Sequence, residues 1–382
     1  MERVAEFLRD RREAGLLRVL RPADFRGGGR IRLGGREYAD LSSNDYLGLS
    51  GHPRLKSASK EAADRFGTGA SASRLLSGDL SLHHRLEEAT AEFKGKESSL
   101  VYNSGYQANL GIISSLCDRA DAVFTDRFSH ASIIDGILLS KARFFRFRHN
   151  DTAHLGSLLE RERNRVRNAL IVTETVFSMD GDRCPLGEIV RLKERYDCRL
   201  LVDEAHATGI FGKNGSGVVE EEGLTKKVDI IMGTFSKALG SFGSYAATSA
   251  AIRDYLVNTS RSFIYSTALP PSVIAADLAS LDLVKEEPWR RKRLLENSVY
   301  LRNGLLKKGF TLKGSSHIIP VITEEAADIS RQLQDKGYWV LPIRPPTVPE
   351  GGSRLRLSLT CDHTKEMLER LIDDIPTCRQ GL

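Results

Sequence analysis

The sequence contains no apolar run approaching the roughly 18 residues of a membrane span. Its N-terminus, MERVAEFLRDRREAG, mixes acids with bases where a signal peptide would carry an apolar core. A cytoplasmic protein is expected. Cysteine is sparse: five in 382 residues, at positions 117, 184, 198, 361 and 378, odd in number and without metal-ligand spacing. That pattern argues against a disulfide framework or a zinc cluster and predicts reduced thiols, with no metal. Charge of one sign is lacking too, since the formal net charge is only +6 and no block of like charges occurs. Nucleic acid and membrane surfaces are therefore not expected partners. The densest basic stretch, ERERNRVRN at 160–168, lies in a helical pattern and reads as a solvated face.

What the chain does have is 41% hydrophobic residues, 28% charged residues and 33 glycines, the composition of an ordinary α/β protein. There is no internal repeat or low-complexity segment. Apolar positions at Val4, Phe7, Leu8, Leu16 and Leu17 are roughly helix-spaced and predict an N-terminal helical arm. A turn-rich stretch, DFRGGGRIRLGGREYADLSSNDYLGLS, follows as a small hairpin. From about residue 95 to 250, short apolar runs (SSLVYN, DAVFTD, ALIVTE, CRLLVD, VDIIMGT) alternate with helical stretches, the pattern of buried, mainly parallel strands. After about residue 275 a long charged helical stretch leads into a smaller mixture of strands and helices. Three units are expected: arm and hairpin over 1–45, a large catalytic domain over 46–275 and a small α+β domain over 276–382.

In open α/β sheets, ligands gather beyond the carboxyl ends of the strands. Three apolar runs end there at Glu174, Asp203 and Thr234, and Ser129 and His130 follow DAVFTD. GTFSKALG aims Lys237 from a small-residue loop just past a strand, where its amine could form an imine with an aldehyde. Taken alone, Lys237 is equally readable as a solvated loop lysine. LLVDEAHATG adds Asp203 and His206; a carboxylate at that depth is costly unless it meets a cation, although Asp203 could also cap the next helix. YNSGYQANLGI is a small-residue turn opening a helix, which presents backbone N–H groups to a phosphate. His130 could stack on a flat ligand or be incidental.

Together these motifs resemble the fold type I pyridoxal-phosphate enzymes, and within them the α-oxoamine synthases. The resemblance is greatest to the branch that joins L-alanine to a pimeloyl thioester. It runs nearly the whole chain, through SSNDYLGLS, GTGASASRLLSG, SHAS, TETVFSMDGD, VDEAHATG, GTFSKALG and FIYSTALPP to IRPPTVPEGGSRLRLSL. It implies a mainly parallel central sheet flanked by helices, pyridoxal 5'-phosphate as cofactor, and a homodimer with shared active sites. Lys237 would carry the cofactor as a Schiff base and later act as base. Asp203 would pair with the pyridine nitrogen, His206 with the phenolic oxygen near Ser178, and His130 would stack on the ring. Gly105, Tyr106 and Thr234 would hold the phosphate, with Ser266 and Thr267 reaching the partner subunit's site. Arg356 would clamp the amino acid's carboxylate, a task suited to a planar guanidinium; Arg354, two residues away on a strand, would face the other way. Asn44 and Thr347 would line the pocket, and Arg18, with Arg21 as the alternative, would meet the acyl chain's far carboxylate. Coenzyme A and acyl-carrier protein both remain open as the thiol. Members using glycine and an acetyl donor are the neighbouring alternative. A catalytically silent homologue acting as a binding subunit is an alternative of another class.

Overall fold

The computed structural model describes residues 2–345 and 347–376; Cys378 lies outside them. A seven-stranded sheet runs through the middle in the order Ser98–Tyr102, Ser244–Thr248, Ile230–Thr234, Arg199–Asp203, Ala169–Glu174, Ala122–Asp126, Arg143–Phe147. Its last five strands are parallel. Ser244–Thr248 is antiparallel to both its neighbours. Helices cover both faces, so Ala122–Asp126, Ala169–Glu174 and Ile230–Thr234 are buried at every position. This explains why they read as continuous apolar runs rather than alternating ones. In the parallel register Glu174 lies opposite Asp203, and Asp203 opposite Met232. Strand spacing alone thus sets two carboxylates side by side at the carboxyl edge of the sheet.

The arm is a helix, Glu2–Glu13, none of whose residues is buried. The hairpin region forms three antiparallel strands, to which Tyr338–Trp339 adds in parallel. The long charged stretch divides at Pro288 into helices Pro271–Glu286 and Trp289–Lys307, because proline has no amide to carry one helix through. A second, wholly antiparallel sheet of four strands contains Ile318–Ile322 and Arg354–Ser358. One loop in particular joins these layers at the site. Glycine at 181 has φ +62°, and a Cβ there would lie 2.4 Å from the Ile318 carbonyl oxygen, so only glycine lets the 176–183 hairpin dock on the second sheet. The four described cysteines are unpaired and buried. Among the described residues no helix is long and apolar enough to cross a membrane.

Behind the strand carrying Asp203, the core holds a charge pair. Lys94 Nζ donates to Glu204 Oε2 at 2.8 Å and to Thr208 Oγ1 at 3.0 Å, with the Ser216 carbonyl as third acceptor. Both side chains are essentially inaccessible to solvent. Removing one member strands the other charge. Lys94→Met is expected to lower the unfolding free energy by about 3–5 kcal/mol in urea titrations followed by circular dichroism. A loss below about 1 kcal/mol would show that Glu204 finds another partner.

Candidate active site

A cavity of about 190 Å³ opens at the carboxyl edge of the parallel strands, lined by Gly105, Tyr106, His130, Asp203, His206 and Lys237 among others. Apart from Asp203, each comes from the loop or helix that follows a strand. Asp203 ends its strand and is 6% exposed. Its Oδ1 accepts from the Ala205 amide at 2.8 Å and its Oδ2 from Asn109 Nδ2 at 3.0 Å. It forms no ion pair among the described residues. Asn109 Nδ2 also donates to Ser132 Oγ at 3.0 Å, and Ser132 Oγ lies 2.8 Å from His130 Nδ1. The Ser132 amide donates to the same ring nitrogen. His130 Nδ1 is thus an acceptor, and in the neutral ring the proton sits on Nε2. Burial lowers the pKa of His130 and favours that neutral form. A helix-to-helix contact makes this chain of bonds possible: a Cβ on Gly136 would lie 2.9 Å from the Asn109 carbonyl oxygen.

Glu174 is fully desolvated beside Asp203, and burial together with that like charge pushes its pKa up to about 8. Its Oε1 accepts the His130 amide at 2.7 Å, which fixes the His130 loop. Lys237 Nζ lies 2.8 Å from His206 Nε2. Burial brings its pKa down to about 8, although Asp203 and Glu174 oppose the shift. His206 Nδ1 lies 2.8 Å from the Tyr46 hydroxyl, which donates to Asn44 Oδ1 at 3.0 Å. Because that amide oxygen only accepts, the protons order themselves from Lys237 through His206 and Tyr46 to Asn44. Burial, then Lys237 and Arg356, hold the His206 pKa well below its ordinary value, so the ring is neutral.

Arg356 stands at the far end of this chain. Its Nε donates to the Ser178 carbonyl at 2.6 Å, Nη1 to Ser358 Oγ at 2.7 Å, and Nη2 lies 3.3 Å from both Asn44 Oδ1 and the Tyr46 hydroxyl. Arg354 is buried on the opposite face, paired with Asp180. A second cavity of about 400 Å³, with Asn44, Ser236, Trp339 and Leu341 in its wall, also reaches Lys237.

The sequence-derived residues divide into two groups. Lys237, Asp203, His206, His130, Gly105, Tyr106 and Thr234 share the first cavity. Asn44, Arg356 and the Ser178 backbone adjoin it through the bonds above. The Thr234 hydroxyl donates to the Gly243 carbonyl at 2.7 Å and lies 2.6 Å from Ser236 Oγ. The hydroxyl at the open end of this pair is therefore Ser236, which the motif reading passed over. Ser266 and Thr267 lie in a separate crevice with Arg74 and Asn103. Thr347 and Arg18 are exposed. Arg21 places its guanidinium 5.3 Å from the Trp339 ring centre, at the wall of the second cavity. Asn109, Tyr46 and Glu174 complete the site; Glu174 had been noted only as a strand end.

The family model described as aminotransferase class I and II matches residues 36–375. A protein of Geotalea daltonii named 8-amino-7-oxononanoate synthase is 49% identical over 381 residues, covering 98% of this chain and 97% of its own. Among solved structures, a serine palmitoyltransferase variant from S. paucimobilis with bound PLP-myriocin aldimine superposes with TM-score 0.91 at 32% identity, over 97% of this chain and 95% of that one. The crystal structure of 8-amino-7-oxononanoate synthase from Francisella tularensis gives TM-score 0.77 at 30% identity, covering 88% and 96%. Matched almost end to end by such relatives, and with their kind of fold, the chain belongs to the aminotransferase class I and II family and, within it, to the 8-amino-7-oxononanoate synthases.

Proposed function

We propose that the chain is a pyridoxal-phosphate-dependent acyltransferase that condenses L-alanine with a pimeloyl thioester, releasing 8-amino-7-oxononanoate, carbon dioxide and the free thiol, a step of biotin biosynthesis. The observation that carries this reading is the pairing, in one cavity, of a lysine amine with a buried carboxylate that has no ion-pair partner among the described residues. The residues fit the cofactor. Asp203 calls for a cation such as a protonated pyridine nitrogen. His130 offers a flat ring at the mouth, and the first amides of helix Gly105–Leu116 have no acceptor within their helix and suit a phosphate. Pyridoxal phosphate, when bound, supplies an aldehyde for imine exchange and a ring that stores the electron pair released at the amino acid's α-carbon.

The chain's own groups do the rest. Arg356 binds the alanine carboxylate, held for it by the Ser178 carbonyl, Asn44 and Tyr46. Lys237 Nζ, whose pKa burial brings down to about 8, takes the α-proton in its neutral form, and the neutral His206 beside it accepts a hydrogen bond without competing for that proton. His130, with its proton on Nε2, can donate to the acyl oxygen. The second cavity accommodates the acyl chain, and an arm arginine, Arg18 or Arg21, meets its far carboxylate. The reading includes a homodimer working in the cytoplasm. The arm's exposed Val4, Phe7 and Leu8 support a partner surface. So do Leu76 and Tyr265, on loops that the Ser73–Thr267 bridge brings side by side. Ser266 and Thr267 on that face would serve the partner's phosphate site.

Alanine with a pimeloyl thioester should turn over faster than glycine with acetyl-CoA in steady-state assays, and the reverse order would overturn the substrate assignment. Arg356→Ala should lower kcat/KM for alanine by about 10- to 100-fold, mostly through KM, as expected when a charged hydrogen-bonding clamp is lost. The apoprotein should capture the pyridoxal aldehyde covalently at a rate that rises with pH through a midpoint near 8. The sign follows from the amine, which is nucleophilic only when neutral and which burial neutralises early. Stopped-flow absorbance checks this, and a rate still climbing to pH 10.5 would mean that Lys237 behaves as an ordinary lysine.

A further inference from the structure

Beside the site, and unused by the chemistry above, His149 stands between two carboxylates. Its Nδ1 lies 2.9 Å from Asp126 Oδ1 and its Nε2 2.7 Å from Asp182 Oδ2. The rings of Phe128 and Phe177 flank it, with centroids 4.7 and 4.6 Å away. A carboxylate only accepts, so both ring nitrogens must donate, and the ring that satisfies both is an imidazolium. Burial alone would lower its pKa, but the bonds to Asp126 and Asp182 outweigh it and bring the value to about 9. The charged groups around it are Asp126 from the strand end, Asp182 from the hairpin, and Asp180 beyond, which Arg354 and Lys313 neutralise. His149, Asp180 and Asp182 lie close enough to suggest a metal site. The ring, however, turns no lone pair toward a cation.

What the imidazolium joins gives it a role. Asp126 ends the strand that leads into the His130 loop, and it also accepts the Phe128 and Asn150 amides. Asp182 belongs to hairpin 176–183, closed by the Val176–Arg183 bridge and by the Phe177 amide donating to the Asp182 carbonyl. Asp182 Oδ1 is buried without a hydrogen-bond partner among the described residues, so the carboxylate depends on His149 and Asn150 acting on its other oxygen. The same hairpin supplies the Ser178 carbonyl that holds Arg356 Nε. We propose that His149 is a positioning residue for amino-acid binding: as an imidazolium bridging Asp126 and Asp182, it fixes hairpin 176–183 so that Ser178 holds Arg356 ready for the substrate carboxylate. The inference rests on Arg356 being the carboxylate clamp.

Two measurements on the holoenzyme test it. In ¹⁵N-histidine NMR, His149 should show two protonated ring nitrogens at neutral pH and titrate near pH 9. His149→Gln should raise the alanine KM about tenfold with kcat within about threefold of the parent and cofactor content unchanged, the split expected when ground-state binding geometry is lost. Should that variant fail to fold, Asp182→Asn is expected to move the alanine KM in the same direction. A neutral or metal-shifted His149 ring at neutral pH would overturn the proposal, as would an unchanged alanine KM in the folded variant. The clamp reading itself fails if Arg356→Ala leaves the alanine KM unchanged. If Arg356→Ala raises it and His149→Gln does not, only the positioning inference fails.

Discussion

A carboxylate buried at the end of a strand, without an ion pair among the described residues, is the constraint on which the rest of this site depends. Placing such a charge out of water costs several kcal/mol unless something compensates it. Asn109 and the Ala205 amide compensate Asp203 only in part. Burial keeps the neighbouring groups from meeting that charge, even though Asp203 itself pulls His130 toward protonation. Glu174, in register with Asp203 on the next strand, holds its proton to higher pH. His130 and His206 stay neutral, so the charge seeking a partner faces the cavity. In the proposed reading, an electron-accepting cofactor with a protonated ring nitrogen would meet that requirement, and the arrangement would favour carbanion chemistry over a structural role.

The second half of the site comes from far along the chain. Arg356 lies on a strand of the smaller sheet, yet its guanidinium is held by the 176–183 hairpin and by Asn44 and Tyr46 near the N-terminus. Tyr46 belongs to both halves, through His206 on one side and Arg356 on the other. Such a bond can transmit misplacement as readily as placement, so a shift of the 176–183 hairpin would be felt at Lys237 as well as at Arg356.

Much of the fold was readable because fully buried parallel strands leave uninterrupted apolar runs, and their ends mark the site directly. Glu174, Asp203 and Thr234 all fall where the runs stop. The two-residue period of a strand also separated Arg354 from Arg356: one is buried on Asp180, the other faces Asn44 and Tyr46. Two sheet strands gave weaker signals. Arg143–Phe147 carries arginines at an edge, and Ser244–Thr248 is built of small residues apart from Tyr245. Asn109 reads as an ordinary polar position within a helix, and nothing local marks it as the partner of a residue 94 positions away. The same holds for His149 and Asp182, which meet only after the sheet has formed. Thr234 was legible as a strand end, but whether its hydroxyl faces the cavity or the Gly243 carbonyl is decided by a loop conformation that composition does not encode.

Asp203→Asn isolates the central constraint, because it removes the charge while keeping shape and hydrogen-bonding capacity. Measured side by side, cofactor content by absorbance should remain near that of the parent, while turnover of alanine with the pimeloyl thioester should fall by about 100-fold or more, the neutral pyridine being a poor electron sink. Turnover within a few-fold of the parent at full cofactor occupancy would show that Asp203 is not the group that keeps the ring charged.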